Sequence, residues 1–184
     1  IITAGNCEIK VTRAASTNYN QATTTATVSI AKANQATITA TANDNSVTYG
    51  DGTALRVGYT GGSGTGLFSY ASVNTAVCSI DSNGDVTVLT AGTCSITVTR
   101  SGDINYNERT ATATISIAKA AQVQLSASAN DLVFTPAHPT TQIALSCGTG
   151  TGNLSYTVSA NSAGICSVSI GGLVTSLQAG DCVI

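Results

Sequence analysis

Residues 94–99 read Cys-Ser-Ile-Thr-Val-Thr, and residues 111–117 read Ala-Thr-Ala-Thr-Ile-Ser-Ile. In both stretches an apolar residue alternates with Ser or Thr, which is the period of a β-strand with one face on a core and the other in water. Charged residues make up only 9% of the chain and aromatic residues 4%, and no segment has a sustained helical period. The sequence therefore predicts an all-β protein.

A long internal repeat indicates the domain organisation. Residues 11–33, VTRAASTNYNQATTTATVSIAKA, return 87 residues later as residues 98–120, VTRSGDINYNERTATATISIAKA. A repeat of this length suits one small β-sandwich. We expect residues 1–33 to be the C-terminal part of one repeat, residues 34–120 a complete repeat, and residues 121–184 the N-terminal part of a third. We also expect the chain to be a piece of a longer tandem array.

A tight turn joins two of the predicted strands in the complete repeat. Residues 81–85 read Asp-Ser-Asn-Gly-Asp, and an Asn-Gly pair is a strong hairpin signal because both residues tolerate positive φ. The surrounding segments, VCSIDSNGDVT at 77–87 and TAGTCSITVT at 90–99, resemble the bacterial immunoglobulin-like repeats of invasin- and intimin-type surface adhesins. The resemblance implies tandem Greek-key β-sandwiches in an end-to-end array, secretion, and a stalk or adhesive role. The cysteines depart from the commoner pattern and suggest a disulfide-bearing branch.

Four cysteines form two pairs with the same spacing. Cys78 and Cys94 are 16 residues apart, as are Cys166 and Cys182, and each pair flanks the predicted hairpin. Zinc sites need short paired spacings or added histidines, and neither accompanies these cysteines. The spacing therefore predicts one disulfide per repeat, and hence an oxidising compartment.

Two further cysteines, Cys7 and Cys147, have no partner in this pairing scheme, so each is expected to be unpaired or bonded to another chain. The partner of Cys7 would lie upstream of residue 1. Cys147 has no counterpart in the complete repeat. Two interpretations stay open for Cys147, namely a small buried thiol and a crosslink between neighbouring domains or chains.

The hairpin turn is also a candidate calcium site. Asp81, Asn83 and Asp85 have the alternate spacing of a calcium loop. The matching positions of the third repeat do not keep these oxygen donors, so we favour an ordinary turn. A second calcium candidate consists of the aspartates near the expected junctions, Asp44, Asp51, Asp103 and Asp131. No other cofactor is expected.

Composition argues against several classes of function. The net charge is -2 and the seven Lys and Arg residues are scattered, so binding to nucleic acid is not expected. No apolar run approaches the length needed to span a bilayer, so insertion into a membrane is not expected. The single histidine, His138, lies in a predicted loop without a matching nucleophile pattern, which argues against an enzyme. The glycine-rich residues 61–66 lack the Gly-Lys-Ser/Thr of a phosphate loop and are predicted to be a flexible loop.

The repeats are therefore predicted to be a structural stalk or fibre of a bacterial cell-surface adhesin or extracellular filament. Residues 117–123 lead from one repeat to the next without Gly or Pro, which predicts a stiff junction. Tyr19 and Tyr106 are each expected to close one end of a sandwich. The expected partners are neighbouring repeats, other copies of the chain in a fibre, and an unidentified host or cell-surface ligand. The alternative is that the repeats themselves bind a glycan or self-associate laterally as an adhesive module. A third class, an accessory module of a carbohydrate-active enzyme, would need exposed aromatic residues, and the only candidate group is Tyr49, Tyr59, Phe68 and Tyr70.

Overall fold

The computed structural model describes residues 2–146 and 148–184, and it is all-β as predicted. The described strands are β1 Gly5–Arg13, β2 Ala22–Ile30, β3 Ile38–Ala42, β4 Ser46–Thr48, β5 Leu55–Gly61, β6 Phe68–Ser72, β7 Cys78–Ile80, β8 Asp85–Val88, β9 Gly92–Arg100, β10 Arg109–Ala118, β11 Ser126–Ala129, β12 Thr140–Ser146, β13 Cys166–Val168 and β14 Leu173–Ser176. Apart from the 3-10 turn Ala160–Ser162, these residues form no helix, so none is long and apolar enough to cross a membrane.

Residues 34–120, which we call the complete repeat after the prediction from the sequence, form two packed four-stranded sheets. One sheet has the order β3-β5-β8-β7 and the other β4-β10-β9-β6. β9 and β10 form an antiparallel pair at the centre of the second sheet, whereas β4 joins the far edge of β10 in parallel. The Asn-Gly turn closes the β7–β8 hairpin, where Gly84 has a φ of 90°. The predicted immunoglobulin-like sandwich is thus present.

Alternating residues of both sheets fill the core. Cys94, Ile96 and Val98 of β9 are completely buried, while the Ser and Thr residues between them are only partly buried. They pack in one cluster with Val57 of β5 and Ile115 of β10, which are also completely buried. The period of two in the sequence therefore separates the core face from the outer face of each strand.

β1 and β2 form a nine-residue antiparallel hairpin from Gly5–Ile30 to Arg13–Ala22. It has the register of β9 and β10, since Cys7 lies opposite Val28 as Cys94 lies opposite Ile115. Both strands of this hairpin are exposed along nearly their whole length.

The chain divides into two compact units between Ala120 and Ala121. The second unit has one four-stranded sheet of order β11-β12-β14-β13, which repeats the pairing pattern of β3-β5-β8-β7. Residues 154–158 match the sequence of β6 but form no strand. In the complete repeat β6 pairs only with β9, so the edge strand forms where β9 is present to hold it.

Candidate functional site

The two disulfides lie at matching places in the two units. Cys78 of β7 is bonded to Cys94 of β9, with 5.7 Å between their Cα atoms, and the bond therefore joins the two sheets. Cys166 of β13 is bonded to Cys182, with 5.8 Å between their Cα atoms. Both partners of the first bond are completely buried in the core. Such bonds also keep the two cysteines together in the unfolded chain, which restricts its conformations and so favours the folded state.

Cys7 is a free, exposed thiol. It lies on the face of the β1–β2 hairpin that corresponds to the core face of β9 and β10. The predictions for Cys147 concern a residue outside the described part of the chain.

The turn proposed for calcium is held together by its own aspartate. The Asp81 carboxylate accepts hydrogen bonds from the backbone N–H groups of Asn83 at 2.8 Å and Asp85 at 2.9 Å, and one from the Asn83 side-chain amide at 3.2 Å. The backbone hydrogen bond from Asp85, with those from Asn83, lowers the pKa of Asp81 below its ordinary value. Asp85 instead lies 3.7 Å from Arg56 in an ion pair that is open to solvent. These oxygen atoms stabilise the turn.

The other four aspartates each lie in a loop between strands. The Asp44 carboxylate accepts a hydrogen bond from the Ser46 N–H, and that of Asp51 accepts from the Thr48 and Thr53 N–H groups. Asp131 follows β11 by two residues, and its N–H donates to the Thr141 hydroxyl at 2.9 Å. In the described residues no group of three or more His, Cys, Asp or Glu side chains is arranged to hold a metal ion.

Asp103 anchors the loop between β9 and β10. Its carboxylate accepts hydrogen bonds from the backbone N–H groups of Thr65 at 2.6 Å and of Asn105 and Tyr106 at 2.8 Å each, and from the Thr65 hydroxyl. The Thr65 bond, followed by the Asn105 bond, lowers the pKa of Asp103 to about 2. The loop is thereby fixed to the glycine-rich segment 61–66.

The glycine-rich segment is held rather than loose. Arg100 donates from its guanidinium to the carbonyl oxygens of Gly61 and Gly64 and lies 4.7 Å from the centre of the Phe68 ring. Gly66 lies against the backbone of Ser101, where a side chain would collide. The prediction of a flexible loop overlooked these contacts, which join residues far apart in sequence.

The same loop binds the chain that enters the complete repeat. The Ala33 N–H donates to the Asn105 carbonyl at 2.8 Å, and the Asn107 N–H donates to the Ala33 carbonyl at 2.9 Å. Two residues later, Gln35 is only 2% exposed, and its amide donates to the carbonyls of Ser101 at 3.1 Å and Asn107 at 3.0 Å. Residues 33–35 are therefore held at the β9–β10 loop end of the sandwich by both backbone and side-chain hydrogen bonds. We call residues 33–35 with residues 100–107 the junction clamp.

One further bond links the stretch before the clamp to the complete repeat. The Ala4 N–H, next to the start of β1, donates to the side-chain oxygen of Asn105 at 2.9 Å. The sequence comparison missed the part played by Gln35 and Asn105, although both recur, as Gln122 and Asn18. Their recurrence at the repeat period was the available signal.

The remaining candidate residues are scattered. Tyr59 stacks on Phe68 with 3.5 Å between ring centres, and Tyr70 lies 6.1 Å from Tyr59, whereas Tyr49 lines a separate hollow beside Asp51. Tyr106, within the junction clamp, is partly buried, but Tyr19 is 79% exposed. Residues 1–33 form only the β1–β2 hairpin, so the expectation that Tyr19 closes a sandwich stays a prediction. His138 lies exposed in a tight turn with Thr135.

Residues 50–103 match the family described as intimin, immunoglobulin-like domain. The match includes the hairpin and strand on which the resemblance to bacterial immunoglobulin-like repeats was based, and it confirms that resemblance. No curated protein matches the sequence.

Several solved structures are similar over most of this chain. Extracellular domains 3–6 of protocadherin gammaB7, described as a cis-dimer, are 15% identical and cover 96% of this chain and 51% of theirs, with a TM-score of 0.34. Domains 1–4 of protocadherin gamma B7 are 13% identical, with 95% and 49% coverage and a TM-score of 0.35. Domains 1–3 of mouse protocadherin-24 are 13% identical, with 97% and 68% coverage and a TM-score of 0.35. The chain thus spans about half the length of the first two proteins, and similarity at these TM-scores carries no argument about function.

Proposed function

We propose that this chain consists of structural repeats from the stalk of a bacterial cell-surface adhesin or extracellular filament. In this proposal residues 34–120 are one complete repeat, residues 1–33 end the repeat before it and residues 121–184 begin the repeat after it. The observation that carries the proposal is the junction clamp. It holds the chain through Ala33 and Gln35 where the β1–β2 hairpin passes into residues 34–120.

The clamp supports stiffness because it restrains the entering chain from two sides. Ala33 is bonded through both its N–H and its carbonyl, and Gln35 is buried two residues later. Asn105 adds a bond to Ala4, which belongs to the neighbouring repeat in our register. A linker restrained at consecutive positions transmits orientation, whereas a free Gly- or Ser-rich linker does not.

The disulfides and the family match support an extracellular location. Buried disulfides persist in oxidising compartments and are rare in the reducing cytosol. The matched family is an immunoglobulin-like domain of intimin, which supports placing this chain at a bacterial cell surface.

A structural role also accounts for the polar residues. The carboxylates of Asp51, Asp81 and Asp103 are each used to hold a loop of their own repeat. The function is therefore proposed to be non-enzymatic, with ligand recognition supplied elsewhere in the adhesin.

Glycan binding by the repeats is the weaker alternative. A sugar-binding platform presents free aromatic faces, but Tyr59 and Phe68 cover one another and Arg100 lies over Phe68. Glycan-array binding by the purified chain that is lost in a Tyr59→Ala variant would favour this alternative over a passive stalk.

The stiffness of the junction can be measured by electron–electron double resonance, which gives the distribution of distances between two spin labels. Labels attached to unnatural amino acids at Thr25 and Thr87, both exposed, leave the cysteines untouched. A narrow distance distribution is expected, and Asn105→Ala should broaden it because the bond to Ala4 is lost. Asn18→Ala is the matched control, since Asn18 occupies the same repeat position and should leave the width unchanged. A distribution that is broad in the unmodified protein would overturn the proposal of a stiff stalk.

A further inference from the structure

The turn at residues 81–85 contains a dipeptide with a chemistry of its own. Asn83-Gly84 is the only Asn-Gly pair in the chain. In a flexible chain the backbone nitrogen of such a glycine attacks the side-chain amide carbon of the asparagine, because glycine has no side chain to hinder the approach. The attack expels ammonia and forms a succinimide ring. The turn is therefore a candidate site of spontaneous deamidation.

The folded turn restrains both reacting groups. The Asn83 side-chain amide donates to the Asp81 carboxylate at 3.2 Å, and the Asn83 N–H donates to the same carboxylate at 2.8 Å. The attacking group, the Gly84 nitrogen, donates its proton to the Asp81 carbonyl oxygen at 3.2 Å. Arg56 donates to the Asn83 carbonyl oxygen at 3.0 Å and so holds the peptide unit between the two residues. Each bond opposes the rotation that would bring the Gly84 nitrogen onto the side-chain carbon of Asn83.

Gly84 is also confined by the strands around it. It is buried with a φ of 90°, and its carbonyl oxygen accepts a hydrogen bond from the Val57 N–H at 2.8 Å. A Cβ atom at this position would lie 2.5 Å from the Val57 carbonyl oxygen and 3.1 Å from the Tyr70 ring. The backbone of Gly84 therefore cannot turn toward Asn83 without leaving these neighbours. Deamidation requires the β7–β8 hairpin to open.

We propose that Asn83 is a modification site that the folded repeat protects, and that its deamidation marks a repeat that has been unfolded. The Cys78–Cys94 disulfide closes the loop that contains the turn. A pulling force on an unfolded repeat passes through this bond and bypasses the loop. The turn is then released from its partner strands but is not stretched, so it can bend as the succinimide ring requires.

The reaction is a hydrolysis and needs no oxidant. The Gly84 nitrogen loses its proton to water and bonds to the side-chain carbon of Asn83. The bond from that carbon to the amide nitrogen breaks, and the nitrogen leaves as ammonia, which takes up a proton. A second water molecule opens the ring at either carbonyl and leaves aspartate or isoaspartate at position 83. An amide and a water are thus converted into a carboxylate and an ammonium ion.

Either product disfavours refolding of the turn. A carboxylate at position 83 would face the Asp81 carboxylate, to which the Asn83 side-chain amide now donates, so an attraction becomes a repulsion. Isoaspartate also adds one backbone atom before Gly84, whose carbonyl oxygen must still reach the Val57 N–H. The released ammonia is lost to solvent, so the modification persists after the repeat refolds.

The second unit has the same turn without the asparagine. Ser169 takes the place of Asp81, and its hydroxyl accepts a hydrogen bond from the Gly171 N–H at 3.3 Å. Gly171 occupies the position of Asn83. The Gly172 N–H donates to the Ser169 carbonyl oxygen at 3.0 Å, which repeats the bond that closes the first turn. Serine and glycine are therefore substitutions that this turn accepts, and they supply matched variants.

The first test compares rates of deamidation in the 184-residue protein. Folded protein and reduced, alkylated protein in urea are incubated at the same mildly alkaline pH, and peptide mass spectrometry follows the loss of the amide at position 83. We expect the folded protein to react at least about tenfold more slowly, because only the open fraction reacts. Asp81→Ser should speed the folded reaction about fivefold, the factor for one typical hydrogen bond, because serine lacks a second oxygen for the Asn83 amide.

The second test concerns the mark. The protein is unfolded in urea with its disulfides intact until about half of the molecules are deamidated at position 83, and it is then refolded. We expect faster amide hydrogen exchange in β7 and β8 of the modified molecules. Asn83→Gly is the control, since it cannot deamidate here and should recover its original exchange after the same treatment. Equal rates in folded and unfolded protein would overturn the protection, and unaltered exchange in modified molecules would overturn the mark. Neither result depends on the stiffness of the junction.

Discussion

Replacing Ile96 with alanine should destabilise residues 34–120 far more than the same replacement at Ile9 destabilises the β1–β2 hairpin. Both residues occupy the middle of the same Cys-x-Ile-x-Val pattern. Ile96 has no exposed surface, so truncation leaves a cavity in a packed core and costs about 2–5 kcal/mol. Ile9 is 49% exposed, so truncation loses about half of a transfer free energy and leaves no cavity, which amounts to about 1 kcal/mol or less.

Urea unfolding followed by amide hydrogen exchange can compare the two variants region by region. With an m-value of about 1.5 kcal/mol/M, a loss of about 3 kcal/mol lowers the midpoint for β9 and β10 by about 2 M. The expected shift for β1 and β2 in Ile9→Ala is less than about 0.7 M by the same conversion. Equal midpoint shifts in the two variants would refute the assignment of β9 and β10 to a core that the hairpin lacks.

Three further predictions concern the disulfide, the aspartate anchor and the junction clamp. Reducing the Cys78–Cys94 bond should lengthen the unfolded repeat in single-molecule stretching by about 5 nm, because 16 residues are released at about 3.4 Å each; an unchanged length on reduction would contradict the bond. The pKa of Asp103 is lowered from 3.8 to about 2 in the folded state, so its stabilising effect is complete above about pH 4 and is lost as the pH falls through about 2. Asp103→Asn should therefore lower the melting temperature at pH 6 more than at pH 2, and equal losses at both would contradict the assignment. Gln35→Glu should cost more than about 2 kcal/mol near neutral pH, since a buried carboxylate would face carbonyl oxygens. Gln21→Glu, at an exposed site, should be neutral in the same denaturation experiment.

Local patterns in the sequence predicted the features that depend on neighbouring residues. Alternation fixed the faces of β9 and β10, and the Asn-Gly pair marked the turn between β7 and β8. The cysteine spacing in two repeats pointed to Cys78 with Cys94 because both flank that turn. Each of these inferences needed only a short stretch of chain and a periodicity.

The junction clamp could not be predicted in the same way, because its bonds join distant parts of the repeat. The Gln35 amide reaches carbonyls 66 and 72 residues later, and the carboxylate of Asp103 holds Thr65, which is 38 residues earlier. Tyr19 and Tyr106 share an Asn-Tyr-Asn segment, yet one ring is 79% exposed and the other is partly buried. Their sequences agree, so the difference in burial comes from the surrounding structure.

The parallel pairing of β4 with β10 affects how the repeat resists a pulling force. In a stalk, tension enters the complete repeat near Gln35 and leaves it after β10. Ser46–Thr48 and Ser116–Ala118 run in parallel, so opposite pulls on the two ends slide these strands past one another and load their hydrogen bonds together. At the entry point the junction clamp adds two backbone bonds and the buried amide of Gln35. Should the sheets separate, the Cys78–Cys94 bond still keeps β7 joined to β9, so the segment between them cannot extend. The clamp, the parallel pair and the disulfide thus restrain the entry, the exit and the interior of one repeat, which is the distribution of restraints that a stalk under tension requires.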